Sequence, residues 1–174
     1  VKKQDILENR VKYSYLAIGS NIGNRKINIE KAKELLILNN IKIVKSSSYY
    51  LTKSWPNTKF PEFFNIVIKI IVNMNAIDLF NILKKIEIIL GRKPSKRNYP
   101  RICDIDIIDF NGEIINLKKN IDLTIPHPRM KSRNFVLIPL FEINKKWSHP
   151  KIKKNIVKLI AKLKDSDIRA IKQI

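Results

Sequence analysis

An α+β domain built on an antiparallel sheet is the fold class this sequence predicts, and three observations predict it. Apolar period-two stretches and amphipathic helical stretches follow one another as strand, helix, strand, strand, helix, strand, the ferredoxin-like βαββαβ order. Turn residues punctuate those stretches, with Asn39-Asn40, Gly91 and Asn111-Gly112 the clearest. The 174 residues are 44 % apolar, which fits one domain with a real core and helices packed on the sheet.

Val11 to Ile18 is apolar and aromatic with period two, a strand. Gly19-Ser20-Asn21-Ile22-Gly23-Asn24 is a turn. A helix follows from Arg25 to Asn39, with Ile29, Ala32, Leu35 and Leu36 as its apolar stripe. Ile41 to Tyr50 reads as the second strand, Thr52 to Glu62 as a loop broken by Pro56 and Pro61, and Phe63 to Val72 as the third strand. Asn75 or Asp78 can cap the next helix, which turns Leu79, Leu83, Ile86 and Leu90 inward and ends at Gly91. Arg92 to Arg101 is a loop with five basic residues and no acid. Ile102 to Phe110 is the fourth strand, Asn111-Gly112 a hairpin turn, and Glu113 to Ile115 its return strand. An extended piece ends in Ile125-Pro126-His127-Pro128. Arg133 to Ile143 is a short helix, and Lys151 to Leu163 a last amphipathic helix with Ile152, Ile156, Leu159 and Leu163 inside. Residues 1–10 are expected to be an N-terminal extension, and 11–174 a single domain.

The net charge is +20, but lysines sit in nearly every segment. That spread argues for a compositional habit over a dedicated nucleic-acid footprint, although the field attracts polyanions, ATP among them. No apolar run approaches the roughly 20 residues that span a bilayer, and the first ten residues lack the apolar stretch of a signal peptide. A lone thiol, Cys103, makes neither an internal disulfide nor a metal cluster and reads as a small apolar strand residue. A cytoplasmic protein is the expectation.

The sharpest chemical signal is Asp104-Ile105-Asp106. Residues two apart on a strand share a face, so both carboxylates project together while Cys103, Ile105 and Ile107 project to the other side. Two crowded like charges are costly to bury without cations, and a hard divalent ion with oxygen ligands resolves the conflict. A solvated strand edge is the plain alternative. Arg92, Lys93, Lys96, Arg97 and Arg101 immediately precede the pair, and arginines clamp phosphate oxygens bidentately. Downstream, His127 sits between two prolines with Lys131 and Arg133 following near a helix start, a setting for phosphate or ribose contact. The glycine-flanked turn at Gly19-Gly23 is neither a Walker loop nor a dinucleotide fingerprint.

Five blocks taken together resemble the 6-hydroxymethyl-7,8-dihydropterin pyrophosphokinase family. They are Ala17 to Arg25, Ser47 to Thr52, Phe63-Phe64-Asn65, Pro100 to Ile107, and Ile125 to Met130 continuing to Arg133, Phe135 and Pro139-Leu140, in the family's order. The resemblance implies a three-layer αβα form of the ferredoxin-like fold, with a further hairpin and helices toward the C-terminus. It implies two magnesium ions on Asp104 and Asp106, ATP as donor, the pterin hydroxymethyl group as acceptor, and AMP as product. By matching position, Thr52, Trp55, Phe63, Asn65 and Phe135 are expected to line a pterin pocket, and the two phenylalanines suit stacking on a flat heterocycle. Glu87, Arg92, Arg97, Arg101, His127, Lys131 and Arg133 match nucleotide-contacting positions, with Arg97 and Arg101 also catalytic beside the acids. A monomer without nucleic-acid or membrane partner is implied. The chain departs from the pattern at Lys53-Ser54, where prolines often follow the matching threonine, and at Asn98-Tyr99, where an aromatic–glycine pair is common. These departures bear on how two loops close.

Three rivals make different predictions. RNA-recognition modules share the strand–helix order, but their basic–aromatic run is missing and the Asp pair would repel a phosphate backbone. An ordinary kinase would release ADP in place of AMP. An inactive relative would not turn over at all.

Overall fold

The computed structural model describes residues 11–93, 98–118 and 121–174. The extension at 1–10 and Arg97, with Lys96 and Pro94, lie outside the described residues. Strand β1 (Lys12–Ser20) leads through a tight turn into helix α1 (Arg25–Leu38), whose first turn is capped by Asn24, its side chain accepting from the Ile27 amide at 3.1 Å. Strands β2 (Lys42–Ser46), β3 (Tyr50–Thr52) and β4 (Phe63–Val72) follow, then α2 (Ala76–Ile89) and β5 (Asp104–Phe110). Asn75 caps α2 by accepting from the amides of Ile77 and Asp78, both at 2.9 Å. Beyond β5 come β6 (Ile115–Leu117), β7 (Leu123–Ile125), a single 3₁₀ turn (Met130–Ser132), α3 (Asn134–Ile143), α4 (Ile156–Ile160), α5 (Asp165–Arg169) and β8 (Lys172–Gln173).

The main sheet runs β5-β1-β4-β3-β8, with β2 also on β4, and its pairs are antiparallel. The expected second strand is therefore two strands. Ser46 opposes Ile68 while Tyr50 opposes Asn65, so one surplus residue sits against β4. Ser47 bridges the break, its hydroxyl accepting from the Val67 amide at 3.0 Å.

Two further expectations are corrected, and one strand is new. Asn111 (φ 53°) and Gly112 (φ 72°) do form the left-handed turn. The chain then leaves β5: Glu113 and Ile114 are exposed, and the return strand, β6, pairs with β7 in a separate ribbon that turns Ile115 and Leu117 onto the core. The last long helix is not formed. Lys153 takes a left-handed φ of 52°, Asn155 caps a new start with its side chain on the Lys158 amide at 2.9 Å, and α4 is five residues long. Ile156, Leu159 and Leu163 are buried as expected, whereas Ile152 is 38 % exposed. Strand β8, unforeseen in the sequence, pairs with the edge of β3.

Alternation along the strands divides the core into two layers. Leu16, Ile18, Ile66, Ile68, Ile70, Ile105 and Ile107 pack under α1 and α2. Tyr15, Val67 and Ile108 pack on the opposite side with α3, Trp147 and α4. Each of these buried aliphatic side chains contributes about 1.5–3 kcal/mol. The second layer stops short at one end of the sheet, and the site lies there.

Candidate active site

The register builds the floor. Gly19 of β1 lies opposite Asp104 of β5 on one side and Asn65 of β4 on the other, and Asn65 opposes Tyr50 of β3. One row thus runs Asp104–Gly19–Asn65–Tyr50 across four strands, with Asp106 and Ala17 in the adjacent row. Cys103, Ile105 and Ile107 point the other way, into the first core layer. At about 4.8 Å between strands, the acids and Asn65 stand roughly 10 Å apart. Between them only the small residues Gly19 and Ala17 intervene. A Cβ added at Gly19 would meet Asn65 Oδ1 at 3.1 Å and the Phe63 ring at 3.5 Å. Thr52 and Asn65 form one unit, the Asn65 amide donating to the Thr52 hydroxyl at 2.9 Å.

Arginines ring the acids. Arg92 donates to Asp104 Oδ1 at 2.8 Å and Arg101 to Asp104 Oδ2 at 3.0 Å. Arg133, at the start of α3, donates to Asp106 Oδ2 at 3.3 Å, and His127 Nε2 is 3.7 Å from the same oxygen. Burial works against the charge on Asp104, but Arg101 and Arg92, reinforced by Lys84 and Arg133, outweigh it and hold the carboxyl below the usual carboxylate range. Burial, with Arg133 and Arg129 close by, pushes the His127 imidazole below its ordinary value despite the pull of Asp106 and Asp104, so it is neutral at neutral pH.

Glu87 is buried and fully engaged. It accepts from the Ile105 amide at 2.7 Å, from Lys84 at 2.9 Å, and from Arg92. It thereby ties α2 to the strand that bears both acids and orients Arg92. Burial raises its carboxyl, with Lys84 and the Ile105 amide opposing.

The structure brings most of the described expected residues to this end of the sheet and leaves two, Trp55 and Lys131, exposed. Phe63 is half-buried beside Gly19, and half-buried Phe135 carries the Arg133 guanidinium over its ring at 5.3 Å. Trp55, expected in the pterin pocket, is 75 % exposed on the loop between β3 and β4. Lys131 is exposed in the 3₁₀ turn. Arg97 lies outside the described residues. Lys84 and Asn21 escaped the sequence reading. Lys84 offered a helical spacing of three to Glu87 as its only signal. Asn21 offered its place in a glycine-flanked turn, but its side-chain partners lie 33 to 80 residues away.

Among the described residues no group of three His, Cys, Asp or Glu side chains could hold a metal ion. The protein supplies two same-face carboxylates, a hard-oxygen set that fits an ion completing its shell with phosphate oxygens and water, as magnesium does.

Comparisons with known proteins agree with this geometry. The family described as 7,8-dihydro-6-hydroxymethylpterin-pyrophosphokinase (HPPK) matches residues 15–145. The 2-amino-4-hydroxy-6-hydroxymethyldihydropteridine pyrophosphokinase of Bacillus subtilis is 38 % identical over 131 residues, 75 % of this chain and 77 % of that protein. Its Aquifex aeolicus counterpart is 37 % identical over 136 residues, 78 % of this chain and 82 % of that one. The folic acid synthesis protein fol1 of Pneumocystis carinii is 34 % identical over 171 residues, 98 % of this chain. The chain spans only 22 % of that protein's length and 20 % of the corresponding Dictyostelium discoideum protein's. Plasmodium falciparum HPPK-DHPS, solved with pteroate, shares the fold at a TM-score of 0.76 and 17 % identity, over 95 % of this chain and 46 % of that one. On the match across 131 of its 174 residues and these relatives, the chain belongs to the 7,8-dihydro-6-hydroxymethylpterin-pyrophosphokinase family.

Proposed function

We propose that this chain transfers the pyrophosphoryl group of ATP to 6-hydroxymethyl-7,8-dihydropterin, releasing the pterin diphosphate and AMP, as a step in folate biosynthesis. One observation carries the reading: a single sheet row sets an arginine-ringed carboxylate about 10 Å from a hydrogen-bonding Asn–Thr pair, with only Gly19 between them in that row. That spacing suits a substrate with a flat polar ring at one end and a phosphoryl acceptor at the other.

Asn65 and Thr52 offer both donors and acceptors to the edge of the pterin, and Phe63 and Phe135 pack its faces. The hydroxymethyl oxygen attacks the β-phosphorus in line. The new O–P bond forms as the bond to the bridging oxygen of AMP breaks, and the hydroxyl proton passes to Asp106. Asp104 and Asp106 would hold two magnesium ions, which would supply charge neutralisation to the phosphate oxygens. Arg92, Arg101 and Arg133 exchange their carboxylate partners for phosphate oxygens as the nucleotide enters, and Arg97, matched by sequence position, adds a further guanidinium. His127, neutral, donates one hydrogen bond to the nucleotide, while Glu87 acts from beneath by orienting Arg92.

In this reading residues 11–174 act as one domain and as a monomer in the cytoplasm, where ATP is abundant. Packing of Trp147, Ile156, Leu159 and Leu163 with α3 in one core layer supports including the C-terminal region in that domain. The test is incubation with magnesium, ATP and the dihydropterin alcohol, followed by nucleotide analysis. AMP in step with pterin diphosphate is the expected result; ADP or no turnover overturns the assignment.

A further inference from the structure

Asn21 is buried at 2 % exposure, immediately after β1, and its side-chain hydrogen bonds go to Ser54, Pro61 and Arg101. Its side chain reaches two separate loops. The amide donates to the Ser54 hydroxyl at 3.3 Å and to the Pro61 carbonyl at 3.2 Å, both on the loop between β3 and β4. Its Oδ1 accepts from the Arg101 amide at 2.7 Å, and its own backbone N–H donates to the Arg101 carbonyl at 3.2 Å. Ser54 closes the lower arrangement by donating to the Pro61 carbonyl at 2.5 Å. Above it the same two segments touch again, with the rings of Phe60 and Tyr99 at 5.5 Å between centroids. Ser54 and Tyr99 stand at the two places where the sequence departs from the pattern it resembles.

We infer that Asn21 is a positioning residue that latches the pterin-side loop to the Arg101 segment, with the Phe60–Tyr99 contact as the upper half of the latch. The two side-chain groups of Asn21 are satisfied by different segments, and truncation removes the acceptor of the Arg101 amide and leaves Ser54 and Pro61 bonded only to each other. Arg101 holds Asp104, and the β3–β4 loop begins at the residue after Thr52, so the latch keeps the nucleotide end and the pterin end of the trough in one register. The ligand identities rest on the proposed function; the latch itself does not.

Amide hydrogen exchange on the free protein tests it, with steady-state kinetics as the second readout. Asn21→Ala should speed exchange about tenfold at the Arg101 amide and at residues 59–60, the change expected from one lost buried hydrogen bond. Ser54→Ala should speed exchange at 59–60 and leave the Arg101 amide protected, because the Asn21–Arg101 bonds survive. In turnover, Asn21→Ala should raise KM for both substrates about tenfold and Ser54→Ala for the pterin alone. An unchanged Arg101 amide in Asn21→Ala, or the same pattern from both variants, overturns the latch. Should Asn21→Ala fail to fold, Ser54→Ala combined with Tyr99→Ala decides: faster exchange at 59–60 supports the proposal and wild-type exchange there refutes it. A wild-type protein without turnover would defeat the functional reading while leaving the exchange result to be judged on its own.

Discussion

The two faces of one sheet are built to opposite rules. Toward α1 and α2, β1, β4 and β5 present Leu16, Ile18, Ile66, Ile68, Ile105 and Ile107, all buried and apolar. Toward α3, the same strands present Ala17, Gly19, Asn65, Asp104 and Asp106 at the site end. Because strand side chains alternate with period two, neighbouring residues serve stability and chemistry separately. Ile105 sits between the two acids in sequence and contributes nothing to their pocket except a rigid backbone, whose amide is held by Glu87. The comparison teaches that substitutions one residue apart should fail in different ways.

The strongest test of that separation is Asp106→Ala. Turnover should fall at least about 10³-fold, since in the proposed mechanism the variant loses both an anchor for the ion and the proton acceptor. Stability should move by less than about 1 kcal/mol, the scale of a partly exposed ion pair. Near-normal turnover would remove Asp106 from the mechanism. The mirror experiment is Ile68→Ala on the other face, which should cost about 2–5 kcal/mol in urea unfolding while the surviving folded protein keeps its KM values. A large KM change there would show that the faces are not independent.

This division was legible in the sequence wherever local pattern decides structure. The Asp104-Ile105-Asp106 alternation foretold which side chains share a face, and Phe63 to Val72 read correctly as β4 at both ends. The failures share a cause. Where β6 pairs, where the β2–β3 strand breaks, and how β8 finds the edge of β3 depend on partners distant in the chain. The hairpin signal at Asn111-Gly112 formed the turn it encodes but could not specify what lies opposite the return strand. Helical spacing at Ile152, Ile156, Leu159 and Leu163 was real, yet a left-handed Lys153 and the Asn155 cap divided it. At the site, the acids and arginines announce themselves by charge, whereas Asn21 is one polar residue in a turn until its partners come together.

Gly19→Ala sharpens the comparison from within the site face. Glycine is required here by close approach alone: the added methyl meets Asn65 Oδ1 at 3.1 Å and must push it or the Phe63 ring aside. Pterin KM should rise about ten- to a hundredfold through that displacement, while ATP KM and the urea midpoint stay near wild type. Equal effects on both substrates would mean that the trough is not divided along its length.

The smallest expected effect concerns the second core layer beyond the site, where His149 is buried beside Trp147, their rings 5.8 Å apart. Its Nδ1 accepts from the Lys151 amide at 3.2 Å, which requires an unprotonated nitrogen. Burial depresses the imidazole below its ordinary value; Asp109 pulls the other way, and Lys131 and Lys151 push it lower. The unfolded chain, with a histidine near 6.5, therefore binds the proton more readily than the folded one, and stability rises with pH across that interval. This contribution should be complete above about pH 6.5 and fade as the pH falls from there through the depressed folded value. His149→Asn keeps an acceptor near the Nδ1 position and removes the titration, so its urea midpoint should vary less between about pH 5 and 7 than that of the wild type. Parallel pH profiles for the two proteins would mean that His149 does not govern the acid sensitivity of this layer.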